Sequence, residues 1–276
     1  MFKSASSQSR YLRYGALAVL AATLVACVTS PTGRQQFMLF SPSDGEMSKM
    51  GAVAFSDLKK KQAIDTDPAI NAYVSCVSHA LLNTFPGTEG QGWEITVFDD
   101  KTPNAFALPG KKIGVHTGIL KVAHNQSQLA AVIGHEIGHV EARHGGERLS
   151  INTAATSAAM VTAILVGSNS SERNAAMAAL GVGATVGVVL PFSRTQESEA
   201  DTLGLRYMAQ AGFDPAQAVN LWQNMAKEGG GDKPPEFLST HPADGTRMAA
   251  LNRQLTDVDP WYQQARADGR RPNCKL

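Results

Sequence analysis

The sequence predicts an α+β fold, mostly helical, with a small β-sheet or hairpin beside one central helix. Three observations predict it. The segment LAAVIGHEIGHVEARH carries apolar residues at roughly helical spacing, with Leu129, Val132 and Val140 on one side and His135 and His139 four apart. NAFALPGKKIGVH (104–116) holds two short β-prone runs joined at the turn dipeptide Pro109-Gly110. The other long segments pattern as helices. A chain of 276 residues, less an N-terminal leader, can bury a full core in one domain.

Taken in order, the first element is a leader. Lys3, Arg10 and Arg13 precede an apolar run from Tyr14 to Val25, followed by Leu24-Val25-Ala26-Cys27. A charged segment and about a dozen apolar residues make a signal peptide too short to span a bilayer comfortably. The small residue before the cysteine resembles a bacterial lipobox, so cleavage before Cys27 and lipid attachment to its thiol are expected. The alternatives are an uncleaved anchor or soluble secretion. The expected organisation is a signal peptide at 1–26, a lipid-attached tether at 27–42 and a single domain at 43–276. Val28 stands where inner-membrane retention usually wants Asp, so the expected location is the bacterial periplasm, at the outer membrane.

Residues 43–62 and 68–85 are predicted helices, the second with Asp67 as cap, Pro68 at its first position and Ile70, Val74, Val77 and Leu81 as its stripe. WEITVF (93–98) alternates as a strand and should join the 104–116 hairpin. Ser127 is placed to cap the central helix and Gly145-Gly146 to end it. The stretch 151–190 is small and apolar, split by GSNSSERN (167–174). It reads as a helical hairpin that is buried or covers the site, with a membrane-facing pair as the alternative. Helices at 192–211, stopped by Gly212, and at 215–227 follow, then a loop, GGGDKPPE (229–236), able to act as a lid.

The chemistry is concentrated in His135-Glu136-Ile137-Gly138-His139. Residues four apart share a helix face, so both histidines can direct a ring nitrogen at one metal ion. Glu136 lies next to that face, placed to take a proton from a metal-bound water. Of the candidates for a third ligand, His144 lies five residues past His139, and Ala142 and Gly145 exclude the glycine and third histidine of the metzincin pattern. In SRTQESEAD, Glu197 and Asp201 are again four apart. Glu197 can complete a two-histidine, one-carboxylate site, and Asp201 can fix the tautomer of a ligating histidine. Glu199 is then expected to face the opposite side.

HEIGH followed by SRTQESEAD resembles the gluzincin metallopeptidases of the HtpX and CAAX-prenyl-endopeptidase family, in a periplasmic lipoprotein branch. NAFALPGKKIGVHTGIL upstream and STHPADGTR (239–247) downstream fit the same pattern. The resemblance covers roughly Asp67 to Leu255, with four motifs in family order. It implies a zincin-like metallopeptidase domain and one Zn2+ per chain. It also implies a substrate strand lined by Asn104 and Ala105, and a histidine near the zinc at His241. That histidine either stabilises the tetrahedral intermediate or occupies the metal in a resting state. Arg247 is expected to pair with an acidic residue and hold the His241 loop. A helical-repeat array of the kind some relatives append is not expected after Arg247.

The expected activity is that of a zinc metalloendopeptidase with Glu136 as general base on a zinc-bound water. Protein quality control, on misfolded or misassembled cell-envelope proteins, is what the resemblance implies. The alternative is a latent metallopeptidase acting mainly as a chaperone or binding module in envelope assembly. Partners are protein or peptide substrates and the membrane, through lipid on Cys27. Lys+Arg of 25 against Asp+Glu of 24 leaves no basic stripe for nucleic acid, and no P-loop, Rossmann glycine run or Ser-His-Asp elbow is present. Cys76 and Cys274 either pair or remain as two thiols, and no Cys/His cluster gives them a metal role.

Overall fold

The computed structural model describes residues 27–87, 89–165, 192–228, 237, 241 and 245–276, with the backbone alone for 157–165. The expected signal peptide, residues 166–190 of the expected hairpin and the 229–236 segment expected to act as a lid lie outside the described residues. The chain forms two compact units. The larger takes its described residues from 42–144 and 192–276, the smaller from 27–41 and 145–165.

In the larger unit, α1 (Asp44–Lys61) opens with a capping box between Ser43 and Glu46 and closes with Lys59, Lys60 and Lys61, charges that suit both ends of the helix dipole. Helix α2 (Pro68–Leu82) has the expected Asp67 cap, whose carboxylate accepts from the Ala69 and Ile70 amides. Strands β3 (Glu94–Phe98), β4 (Ala105–Leu108) and β5 (Lys112–His116) form one sheet in the order β3-β5-β4. β3 runs parallel to β5, and β4 pairs antiparallel with it across the predicted Pro109-Gly110 turn, where Gly110 (φ 84°) and Lys111 (φ 62°) take left-handed conformations.

The central helix α3 (Gln126–Glu141) starts two residues earlier than expected. Asn125 caps it through bonds from the Ser127 and Gln128 amides, so Ser127 falls inside the first turn. It also ends earlier, at Ala142, and Gly145-Gly146 lie inside the next helix, α4 (His144–Leu165). Helix α5 (Arg194–Ala211) ends as predicted at Gly212 (φ 85°), and α6 (Ala216–Glu228) follows. A last helix, α7 (Gly245–Ala267), runs through Pro260.

Apolar faces of α2, the sheet, α3, α5 and α6 share one core, with Val77, Leu81, Ile113, Leu129, Ile133, Ile137 and Met208 fully or almost fully buried. Cys76 and Cys274 pair, with Cα atoms 5.7 Å apart, fixing the C-terminal segment to α2. In the smaller unit, β1 (Cys27–Thr29) and β2 (Gln35–Phe37) form an antiparallel pair, and Arg34 grips Glu147 of α4 through two 2.7 Å bonds. No helix among the described residues is long and apolar enough to cross a membrane.

Candidate metal centre

The site forms where α3 crosses α5, and glycine sets the crossing distance. A Cβ on Gly138 would lie 2.9 Å from the Ala200 carbonyl oxygen, and one on Gly204 would lie 2.9 Å from the His135 nitrogen. Backbone therefore meets backbone, and the short side chains of one helix reach those of the other. Because residues four apart share a face, His135 and His139 on α3 confront Glu197 and Asp201 on α5. All four are buried.

The donor atoms converge. His135 Nε2 and His139 Nε2 are 3.0 Å apart, and each lies 3.4 Å from a Glu197 carboxylate oxygen. His241 joins them, its Nδ1 2.9 Å from Glu197 Oε1 and 3.3 Å from His135 Nε2. Zinc holds nitrogen and oxygen ligands at about 2.0–2.1 Å, which makes the edge of its tetrahedron about 3.3 Å. The observed separations of 2.9–3.4 Å match that edge. A buried cluster of three imidazoles and one carboxylate has the donor chemistry of a zinc site, and the residues present fit the ion.

Around the donors stands a charged frame. Asp201 Oδ1 is 2.9 Å from His135 Nδ1. Arg247 donates to both oxygens of Asp201, at 2.7 and 2.8 Å, and its Nη1 lies 2.7 Å from Glu197 Oε2. Its guanidinium stacks 3.7 Å from the Trp222 ring centre. Burial opposes a charged carboxylate at Asp201, but Arg247 and His135 overcome it and hold its pKa below the usual range. Glu197 behaves likewise: burial works against its charge, and bonds from His135, His139 and His241 hold its pKa far down. At His135, burial disfavours a positive ring, yet Asp201 and Glu197 raise its pKa to about 9. Burial pushes His139 well below its ordinary value. The frame thus calls for positive charge at the point where the donors meet.

Glu136 is positioned from the other side. The register of β4 against β5, with the His116 amide bonded to the Asn104 carbonyl, turns the main-chain groups of Ala105 and Ala107 away from β5. Ala107 donates its amide to the Glu136 carboxylate. Burial pushes the Glu136 pKa up, against the pull of His241 and His135. Its Oε1 is buried without a hydrogen-bond partner among the described residues, with His241 Nε2 at 3.4 Å.

The structure therefore brings together His135, Glu136, His139, Glu197, Asp201 and His241, and sets Asn104 and Ala105 at the start of the neighbouring edge strand. Cys27 lies at the head of β1, exposed and with a free thiol. Glu199, expected on the opposite side of α5 from Glu197 and Asp201, is buried, with its Oε2 3.1 Å from His144 Nε2. Sequence reasoning also missed Phe192 and Phe237, whose rings lie 5.3 and 4.6 Å from that of His241 on near-parallel planes. Neither carries a motif; only their closeness in sequence to SRTQESEAD and STHPADGTR marks them.

Fold and site define a zincin-like metallopeptidase domain. The model of Peptidase family M48 matches residues 68–255, and the chain belongs to that family. Among similar proteins is the mitochondrial metalloendopeptidase OMA1 of Schizosaccharomyces pombe, 34% identical over 203 residues, covering 73% of this chain and 56% of that protein. OMA1 of Arabidopsis thaliana is 38% identical over 208 residues, 75% of this chain and 41% of its own. The beta-barrel assembly-enhancing protease of Escherichia coli O157:H7 is 28% identical over 233 residues, 82% and 47% of the two chains. The chain spans about half the length of the curated relatives it matches.

These similarities overturn the expected location at the outer membrane of a bacterial periplasm. The fungal and plant mitochondrial enzymes match at 34–38% identity, against 27–29% for the bacterial proteases. The expectation rested on the few residues around Cys27, a far shorter signal than a match over three quarters of the chain.

Proposed function

We propose that the chain is a zinc-dependent endopeptidase acting on unfolded or misassembled proteins. His135, His139 and Glu197 hold the metal, and Glu136 is the general base. The observation that carries this reading is the convergence of the donor atoms at the edge length of a zinc tetrahedron, with a buried carboxylate beside them. Bound zinc supplies a Lewis acid that polarises the scissile carbonyl and acidifies water.

The chain's own groups do the rest. Glu136 Oε1, freed from other bonds and oriented by the Ala107 amide, takes the proton of the attacking water and passes it to the leaving amine. The edge strand β4 offers the outward main-chain groups of Ala105 to an extended peptide, which would add as a fourth strand. In this reading the main chain of Ala105 receives substrate, while the Asn104 carbonyl is engaged in the ladder. A cavity of about 190 Å3 between α5 and α7, lined by Phe192, Arg194, Glu197 and Gln254, offers room for a substrate side chain. The exposed thiol of Cys27 suits attachment of a membrane lipid, which the intact mass of detergent-extracted protein would reveal.

A second reading has its own observation. His241 completes a four-donor set, and a catalytic zinc site keeps one position open. With His241 as fourth ligand the enzyme is latent and serves mainly as a binding module. The experiment is zinc content and casein cleavage for the full chain and its His241→Ala variant. Cleavage by both, at about one zinc each, supports a constitutive endopeptidase. Cleavage by the variant alone makes His241 a latch. Zinc without cleavage by either sinks the endopeptidase reading.

A further inference from the structure

We propose that His144 and Glu199 are positioning residues for His139, a relay that aims its Nε2 at the metal and lengthens metal residence. This rests on the zinc reading above. His139 presents Nε2 to the other donors, 3.0 Å from His135 Nε2, and its Nδ1 lies 2.8 Å from His144 Nδ1. His144 Nε2 lies 3.1 Å from Glu199 Oε2. A carboxylate only accepts, so the His144 ring carries its proton on Nε2, and in the neutral ring Nδ1 is then an acceptor. The proton between His139 and His144 therefore belongs to His139 Nδ1. That leaves His139 Nε2 with its lone pair directed at the donor cluster. One chain of bonds fixes both the tautomer and the ring plane of the ligand.

The arrangement has a counterpart at the other histidine. His135 Nδ1 ends on Asp201 of α5 directly, at 2.9 Å. Glu199, two residues along α5 and about 200° round it, ends the His139 branch through an intervening ring. All members are buried: His144 is 0% exposed, His139 4% and Glu199 5%. The backbone is bent to make the contact. Ala142 closes α3, and Arg143 takes φ 53°, a conformation that costs a side-chain-bearing residue about 1–2 kcal/mol. The turn starts α4 at His144 and returns that ring to His139, while the Arg143 guanidinium is tied to Asp44. Strain of this kind persists where surrounding contacts enforce it.

The test uses the full chain and the variants Glu199→Ala, Glu199→Gln and His144→Phe. Zinc affinity is read by competition with a chelator, kcat and KM on a casein-derived peptide, and the melting midpoint on zinc-stripped protein. For Glu199→Ala and His144→Phe the expected result is a zinc Kd raised about 10- to 100-fold, with kcat lowered and KM kept. The stripped proteins should melt close to the parent. Glu199→Gln, which keeps an oxygen to accept from His144, should recover most of the affinity. The relay is overturned if Glu199→Ala binds zinc as tightly as the parent, or if its loss of affinity merely follows a loss of melting midpoint. Should His144→Phe not fold, the two Glu199 variants decide alone. A parent chain that binds no zinc would instead overturn the metal reading on which the relay stands.

Discussion

Gly204 and His135 are in backbone contact: a Cβ added to Gly204 would stand 2.9 Å from the His135 amide nitrogen. The helix that brings the carboxylates is thus pressed against the one that carries the histidines, with no side chain between. The first prediction tests that closeness. Gly204→Ala raises helix propensity, which alone would stabilise α5 by up to about 1 kcal/mol. The clash with backbone atoms outweighs this, because neither partner is a flexible side-chain tip. The variant should lose about 1–3 kcal/mol in denaturant unfolding, and bind zinc more weakly because Glu197 is displaced from His135 and His139. Equal zinc affinity would show that the crossing distance does not set the site.

The carboxylates of the site have separable roles, and two substitutions divide them. Glu136 approaches the donors without joining them, whereas Glu197 lies within 3.4 Å of both His135 and His139. Glu136→Gln should therefore retain zinc and lose kcat by about 10²- to 10⁴-fold, the usual contribution of a general base. Glu197→Ala should lower zinc content itself, measured by metal analysis after dialysis. Matching behaviour of the two variants would remove the distinction between base and ligand.

The placement of these side chains on shared faces was legible in the sequence, because a helical period of 3.6 residues converts spacings of four into shared faces. His135, His139, Glu197 and Asp201 could be placed from that alone. His144 could not, since its contact with His139 depends on the reversed backbone at Arg143, a conformation that an arginine does not announce. For Glu199 the helical period gives another face of α5, but nothing local says that a buried histidine waits there. Asn125 and Ser127 are both good caps two residues apart, and only the bonds formed distinguish them. Helix α7 escaped notice because Pro260 interrupts its pattern, and tertiary packing overrides that signal.

The pH dependence of turnover carries a sign that follows from Glu136. A general base works deprotonated, so kcat/KM falls as pH drops through its pKa. Burial raises that pKa, and the proximity of His241 works against the rise. The acid limb should accordingly lie above the ordinary glutamate value of 4.5, and His241→Ala should move it to higher pH, since a group that favours the carboxylate is gone. A limb that stays in place or moves down would mean that His241 does not influence Glu136.

The disulfide links the far end of the chain to the frame that carries the site. Cys274 is bonded to Cys76 of α2 across a separation of 198 residues, and the same C-terminal segment meets the first residue of α3. There Gln126 donates to the Pro272 carbonyl and accepts from the Cys274 amide, each at 2.8 Å. Closing so long a loop removes denatured-state entropy, for a stabilisation of about 2–5 kcal/mol. The double variant Cys76→Ser with Cys274→Ser should then melt about 5–15 °C lower. The hydrogen bonds at Gln126 do not depend on the sulfurs, so the folded variant should keep its zinc affinity and its kcat. A melting midpoint unchanged by the double substitution, or equally unchanged by reductant, would show that the link contributes nothing to stability. A fall in zinc affinity at constant midpoint would instead mean that the tail acts on the metal helix through the disulfide.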